Sequence, residues 1–190
     1  MDTTLEWFAA VTGLASVILT VRRSVHCWPV GIVSVAAYLF FFARIRLYAD
    51  SALQVFFLVT SFVGWWHWAR GGEGHSAAPI RTLTFAHRVL TLTLVAAATV
   101  ASGYLLRHHT DATFPFWDSL AAGLSIGAQV LLMRKLLESW YLWIAVDVLS
   151  LGLYAAKGAW VTFGLYGIFL VLAVAGCIAW RRAFARGEFL

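Results

Sequence analysis

Apolar residues run along this chain in seven long blocks with short polar breaks between them. A bilayer core of about 30 Å takes roughly 20 helical residues to cross, with about 17–25 the usual range. By that measure the blocks predict transmembrane helices over Leu5–Val21, Trp28–Phe42, Asp50–Trp68, Phe85–Leu106, Trp117–Met133, Trp140–Ala156 and Trp160–Trp180. The single long polar break, Arg70-Gly-Gly-Glu-Gly-His-Ser-Ala-Ala-Pro79, follows the third block and reads as a linker between two similar halves.

Sliding the chain over itself by 112 residues, without a gap, pairs Trp28 with Trp140, Gly64 with Gly176, Trp68 with Trp180, and Arg22-Arg23 with Arg134-Lys135. Leu and Ala matches mean little in so apolar a chain, but two Trp pairs, a Gly pair and a dibasic pair in one register imply a duplicated three-helix unit. An odd-numbered unit repeated in tandem would come out inverted. The extra fourth helix turns the chain round, so the expected architecture is 3+1+3 with parallel repeats: 1–70, a linker and linker helix over 71–112, and 113–190.

Charge adds orientation. If the N-terminus lies outside, the inside loops and tail hold Arg22, Arg23, Arg70, Arg81, Arg88, Arg134, Lys135, Arg181, Arg182 and Arg186. Only Arg44, Arg46, Arg107 and Lys157 lie outside. The excess predicts N-out, C-in. Composition agrees with a polytopic membrane protein, since 62% of residues are hydrophobic and 12% charged. The net charge of +5 sits in short loops, where it acts as a topology determinant and not as a nucleic-acid surface. Cys27 and Cys177 have no metal-ligand spacing and read as small buried thiols. The N-terminus is acidic where a signal peptide needs basic residues, so the first apolar run is expected to stay in the mature protein.

Candidate chemistry gathers on Glu138-Ser-Trp-Tyr-Leu-Trp-Ile-Ala-Val-Asp-Val148. Trp140 and Trp143 are three apart and Asp147 four further, so all three share one face of a helix. A carboxylate at bilayer depth costs roughly 2.5–3.5 kcal/mol on insertion scales, which makes it a functional-site hypothesis. Two indoles and a carboxylate on one stripe suit a flat organic cation, held by cation–π contact. Trp140, at the helix end, is either an interfacial anchor or part of the site. Trp143, one turn deeper, points to the site. Gln54 and Gln129 lie within helices, where an amide either serves a hydroxyl-rich substrate or bonds across helices.

The remaining polar residues read as structure. Asp118 is expected to cap or complement a helix dipole, Glu138 and Lys157 to be interfacial charges, and His67 to sit at a wet interface. Trp28, Trp65, Trp66, Trp68, Trp117, Trp160 and Trp180 fall at helix ends, where the aromatic belt is the expected role. No Walker-type glycine loop, His-Glu-x-x-His motif, paired-carboxylate helix or chain of buried acids is present, so neither ATP hydrolysis, intramembrane hydrolysis nor proton pumping is indicated.

Pro115-Phe-Trp-Asp-Ser119, Leu124-Ser125, Arg134-Lys135, Glu138-Ser-Trp140, Trp143, Asp147-Val148, Leu153-Tyr154 and Lys157-Gly158 together resemble the C-terminal half of the PnuC family of vitamin-precursor transporters. Trp28-Pro-Val-Gly31, Phe41-Phe42, Arg46-Leu-Tyr-Ala49, Leu53-Gln54 and Gly64-Trp-Trp-His-Trp68 resemble the N-terminal half. The resemblance implies a SWEET-like all-α fold and facilitated diffusion of nicotinamide riboside, or of thiamine or another nucleoside-like vitamin. It also implies trapping by cytosolic phosphorylation and the inner membrane as location. Trp140, Trp143, Asp147, Gln54 and Gln129 are the expected substrate contacts, with no cofactor, metal or catalytic residue. A membrane enzyme or sensor holding a small ligand is the reading from another class, and a homo-oligomer stays open.

Overall fold

The computed structural model describes residues 3–44, 48–70, 78–110, 113–156 and 158–187; Arg46, Lys157 and linker residues 71–77 lie outside them. Among the described residues there are seven helices: α1 (Thr3–Val21), α2 (Cys27–Arg44), α3 (Tyr48–Arg70), α4 (Phe85–His109), α5 (Pro115–Met133), α6 (Glu138–Ala156) and α7 (Trp160–Ala185). Six are long and apolar enough to cross a membrane. The other, α3, has the length, but Gln54, Ser61, His67 and its three tryptophans lower its hydropathy. It packs beside α2. Start signals match local chemistry: Pro115 takes the first position of α5, where its missing N–H is no loss. Asp118 sits in the first turn of α5, where a carboxylate complements the helix dipole. Thr84 caps α4 by accepting from the His87 N–H.

Six of the helices close a ring. α2 packs between α1 and α3, α6 packs between α5 and α7, and the circle is completed by α1 against α7 and α3 against α5; α4 lies outside, against α5. A pair of matched hydrogen bonds links the halves. The Trp68 indole N–H donates to the Leu132 carbonyl at 3.1 Å, and the Trp180 indole N–H to the Thr20 carbonyl at 3.0 Å. Each residue of the first bond lies 112 positions from its counterpart in the second, so the halves face each other across a pseudo-twofold axis.

The same register holds in the turns. Arg23 and Lys135 both adopt a left-handed backbone, with φ of 61° and 57°. Their N–H groups close equivalent bonds, to Thr20 at 2.9 Å and to Leu132 at 2.8 Å. A non-glycine residue in this region is uncommon, and repeating it at matched positions marks a turn that each half needs.

The turns sit beside four buried tryptophans. Trp28 meets Trp68 edge-on with ring centroids 5.4 Å apart, Trp140 meets Trp180 edge-on at 5.5 Å, and Trp68 joins Trp180 across the axis at 5.5 Å. This corrects the belt expectation for Trp28, Trp68 and Trp180, which are 4%, 2% and 0% exposed. Trp65, Trp66, Trp117 and Trp160 are exposed, as belt residues are. Glycine makes the tetrad possible, since a Cβ at Gly64 would overlap the Trp28 ring and one at Gly176 the Trp140 ring. Gly176→Ala should therefore lower stability by about 1–3 kcal/mol, the cost of overpacking a filled core, measured as a drop in melting temperature in detergent. An unchanged melting temperature would mean the tetrad relaxes freely.

Glu138 also departs from expectation. It is 7% exposed, and its Oε1 accepts from the Leu83 N–H at 3.0 Å and lies 2.8 Å from Nη2 of Arg88. A half-exposed arginine on α4 thus neutralises a carboxylate at the start of α6, and the charge never reaches the interface. Beside it, Arg81 bridges to Leu136, and the Lys135 ammonium donates to the Ala78 carbonyl at 2.7 Å while lying over the Trp68 ring. The described end of the linker is therefore zipped to the α5–α6 turn.

Burial, helped by the nearby Arg23 guanidinium, pulls the Lys135 pKa down to about 8. An unfolded lysine, near 10.4, holds its proton more tightly, so this group adds stability as pH rises from about 8 towards 10.4. Over that window the melting temperature of the wild type should gain on that of Lys135→Met. A constant difference would contradict the shift.

Candidate functional site

The repeat makes the site by differing from itself. Between the halves lies a cavity of about 160 Å³, against the tetrad through Trp28. From the first half, α1 supplies Ser16 and Thr20, α2 supplies Cys27, Trp28, Gly31 and Val35, and α3 supplies Phe57 and Ser61. From the second half, α5 supplies Gln129 and Leu132, and α6 supplies Trp143. In the 112-residue register Trp143 corresponds to Gly31, Gln129 to Val17 and Asp147 to Val35. The second half thus carries an indole, an amide and a carboxylate where the first carries small or apolar residues. Gly31 lets α2 approach α1 closely, because a Cβ there would lie 2.9 Å from the Ser16 hydroxyl.

Of the five residues expected at the site, two line this cavity. Gln129 is 7% exposed, and among the described residues its amide has no hydrogen-bond partner. Trp143, half-buried, offers its ring from the facing helix. Asp147 lies one turn further along α6, 5% exposed, and among the described residues its carboxylate accepts no hydrogen bond and pairs with no base. On α7, Tyr166 stacks on Tyr154 of α6 with centroids 5.2 Å apart. Gln54 is half-buried on α3, one turn before the cavity residue Phe57, and does not line the cavity.

Trp140 is placed elsewhere. Its ring is 2% exposed and fills the tetrad against Gly176 and Trp180. Three residues on one helical face share a stripe, but α7 crosses that stripe and takes its first member. Sequence reasoning missed Trp28 and Ser61, both buried in the cavity wall. A signal for Trp28 was present: its repeat counterpart is the tryptophan singled out on α6.

A flat ring can lie on Trp143, with Gln129 pairing to its substituents and the Asp147 charge within one helical turn. Among the described residues, no lysine or arginine lines the cavity. No cluster of ligands able to hold a metal ion occurs among the described residues.

Residues 3–182 match the family described as nicotinamide mononucleotide transporter. The chain is 28% identical over 205 residues to the nicotinamide riboside transporter PnuC of Escherichia coli (strain K12), covering 93% of this chain and 85% of that protein. It is 27% identical over 173 residues to the riboflavin/roseoflavin transporter RibM of Streptomyces davaonensis, covering 90% and 81%. Among solved structures it resembles that of the vitamin B3 transporter PnuC, with a TM-score of 0.77 and 27% identity over 97% of this chain and 83% of the other. With matched helices, a matched bundle and a family match along nearly its whole length, the chain belongs to the nicotinamide mononucleotide transporter family of multi-pass membrane transporters.

Proposed function

We propose that the chain is a facilitated-diffusion carrier for nicotinamide riboside, or a similar flat cationic vitamin or nucleoside, in the inner membrane. The observation that carries this reading is Trp143 and Gln129 on one cavity between the halves, with a partnerless Asp147 one turn away. Indole is the best cation–π partner for a pyridinium, worth about 2 kcal/mol or more when desolvated. Asp147 then neutralises the ring or accepts from ribose hydroxyls. A riboside fits better than a mononucleotide. Phosphate brings a charge of about −1.5 to −2 at neutral pH, and the cavity wall offers it no base.

The two halves, 1–70 and 113–190, rock about the substrate in the SWEET manner, with 71–112 as connector. Nothing in such a cycle accumulates substrate, so net uptake depends on a cytosolic kinase that phosphorylates it. The basic turns around Arg22-Arg23 and Arg134-Lys135 orient the chain N-out and C-in. Tags at the two ends should report opposite sides, and finding both in the cytoplasm would refute the orientation.

Equilibrium binding to the purified protein tests the substrate. Nicotinamide riboside should bind saturably, and nicotinamide mononucleotide should fail to displace it at similar concentration. Saturable riboflavin binding without nicotinamide riboside binding would move the chain to a flavin substrate.

A further inference from the structure

The two seams between the halves are not equivalent. Along one, α1 meets α7; along the other, α3 meets α5. Each is pinned by an indole bond, Trp180 to Thr20 in the first and Trp68 to Leu132 in the second, but the first bond is buried and the second only part-buried. Ala173 of α7 packs in the core with Trp140, Cys177 and Trp180, and Leu19 and Val21 of α1 pack against the same core. In the 112-residue register Val17 of α1 corresponds to Gln129 of α5, and Ala173 of α7 to Ser61 of α3. One seam thus carries two apolar side chains where the other carries an amide and a hydroxyl.

Gln129 and Ser61 are 7% and 3% exposed, and both line the cavity, one from each half. A hydroxyl inside a helix ordinarily bonds the carbonyl one turn back, as Ser125 does to Ala121 at 2.8 Å and Thr60 to Phe56 at 2.9 Å. Ser61 does not. Among the described residues neither its hydroxyl nor the Gln129 amide has a hydrogen-bond partner, and unlike the sealed indole nitrogens of Trp28 and Trp140 their polar atoms keep open surface. Buried polar groups without partners are costly, so the empty α3–α5 seam favours a ligand that pairs with them. A hydroxyl and an amide each donate and accept. Together they suit an uncharged group that does both. Among the described residues α7 adds nothing to the cavity wall, so a ligand there meets the α3–α5 seam and leaves α7 untouched.

We propose that Ser61 is a substrate-binding residue that, with Gln129, holds an uncharged donor-and-acceptor group across the α3–α5 seam, so that the ligand ties the halves together there while they pivot on α1–α7. This rests on the cavity being the substrate site. In a riboside such a group is a ring carboxamide or a sugar hydroxyl.

Ser61→Ala gives the α3–α5 seam the residue that the other seam has in Ala173. In the full-length protein in detergent it should weaken nicotinamide riboside binding by about threefold to tenfold, the scale of one uncharged hydrogen bond. The ligand-free melting temperature should stay level or rise, because a buried hydroxyl without a partner has been removed. A merely structural hydroxyl would do the reverse, and a lowered ligand-free melting temperature with undiminished affinity would overturn the proposal. The pyridinium riboside lacking a ring substituent identifies the group: weakening confined to the amide-bearing riboside assigns the carboxamide, and weakening of both assigns the sugar. Spin labels read the seams in the wild-type background, one pair at the exposed Val59 and Ile126 and the other at their repeat counterparts Val171 and Leu14. In lipid nanodiscs nicotinamide riboside should change the first distance distribution and leave the second as it was. Equal change at both seams, or none at α3–α5, would contradict the proposal. A wild type that binds neither riboside sinks the reading of the cavity as a riboside site and this proposal with it, whereas wild-type affinity in Ser61→Ala sinks this proposal alone.

Discussion

Asp147→Leu abolishes saturable uptake of nicotinamide riboside while the protein still inserts and folds. The carboxylate is buried near the middle of α6, and the protein supplies it with no hydrogen bond or counter-ion among the described residues. On the insertion scale leucine contributes about −0.3 to −0.6 kcal/mol at a helix centre where aspartate costs about +2.5 to +3.5. The substitution therefore favours the bundle, and any loss of transport is a loss of function. Wild-type uptake by the leucine variant would remove Asp147 from the site. Asp147→Asn then separates charge from hydrogen bonding. If the carboxylate pairs with a cationic ring, asparagine weakens a charged ligand more than an uncharged analogue of the same shape, because only the first loses a charge partner in a low-dielectric site. If it holds the ribose, asparagine keeps an acceptor and both ligands change mildly and alike.

Trp143→Ala weakens binding by about 2 kcal/mol or more, roughly thirtyfold, the scale of a desolvated cation–π contact. Trp143 faces a cavity and so differs from Trp140, which fills a core. Truncating Trp140 should instead cost about 3–5 kcal/mol of stability, as for other buried large aromatics. Binding by titration and melting temperature in the same preparation separate the two residues. Unchanged affinity in well-folded Trp143→Ala would return the residue to packing.

Much of this arrangement was legible because the chain repeats itself. The register joining Trp28 to Trp140 and Arg23 to Lys135 also joins two left-handed turns, two interhalf indole bonds and two glycine-seated rings. What stayed hidden was burial at the helix ends. A tryptophan there looks the same in sequence whether it meets lipid headgroups or another indole. The distinguishing mark was a glycine one turn before Trp68 and before Trp180, which makes room for the opposing ring. Glu138 was misplaced for a different reason. Its partner Arg88 lies 50 residues away on a helix outside the repeat, and no local pattern points to it. Trp143, Gln129 and Asp147 stood out in the sequence because polar or π-rich groups are conspicuous in apolar helices, and the first two line the cavity. Trp28 and Ser61 were not, because a small hydroxyl and a terminal indole are ordinary there.

Counterflow in liposomes containing only this protein tests the central claim most directly. Vesicles loaded with unlabelled nicotinamide riboside should take up labelled riboside transiently above its equilibrium level, with no ATP and no ion gradient, and Asp147→Leu vesicles should not. Uptake that requires an imposed gradient, or no counterflow by folded wild-type protein, would contradict a passive nicotinamide riboside carrier.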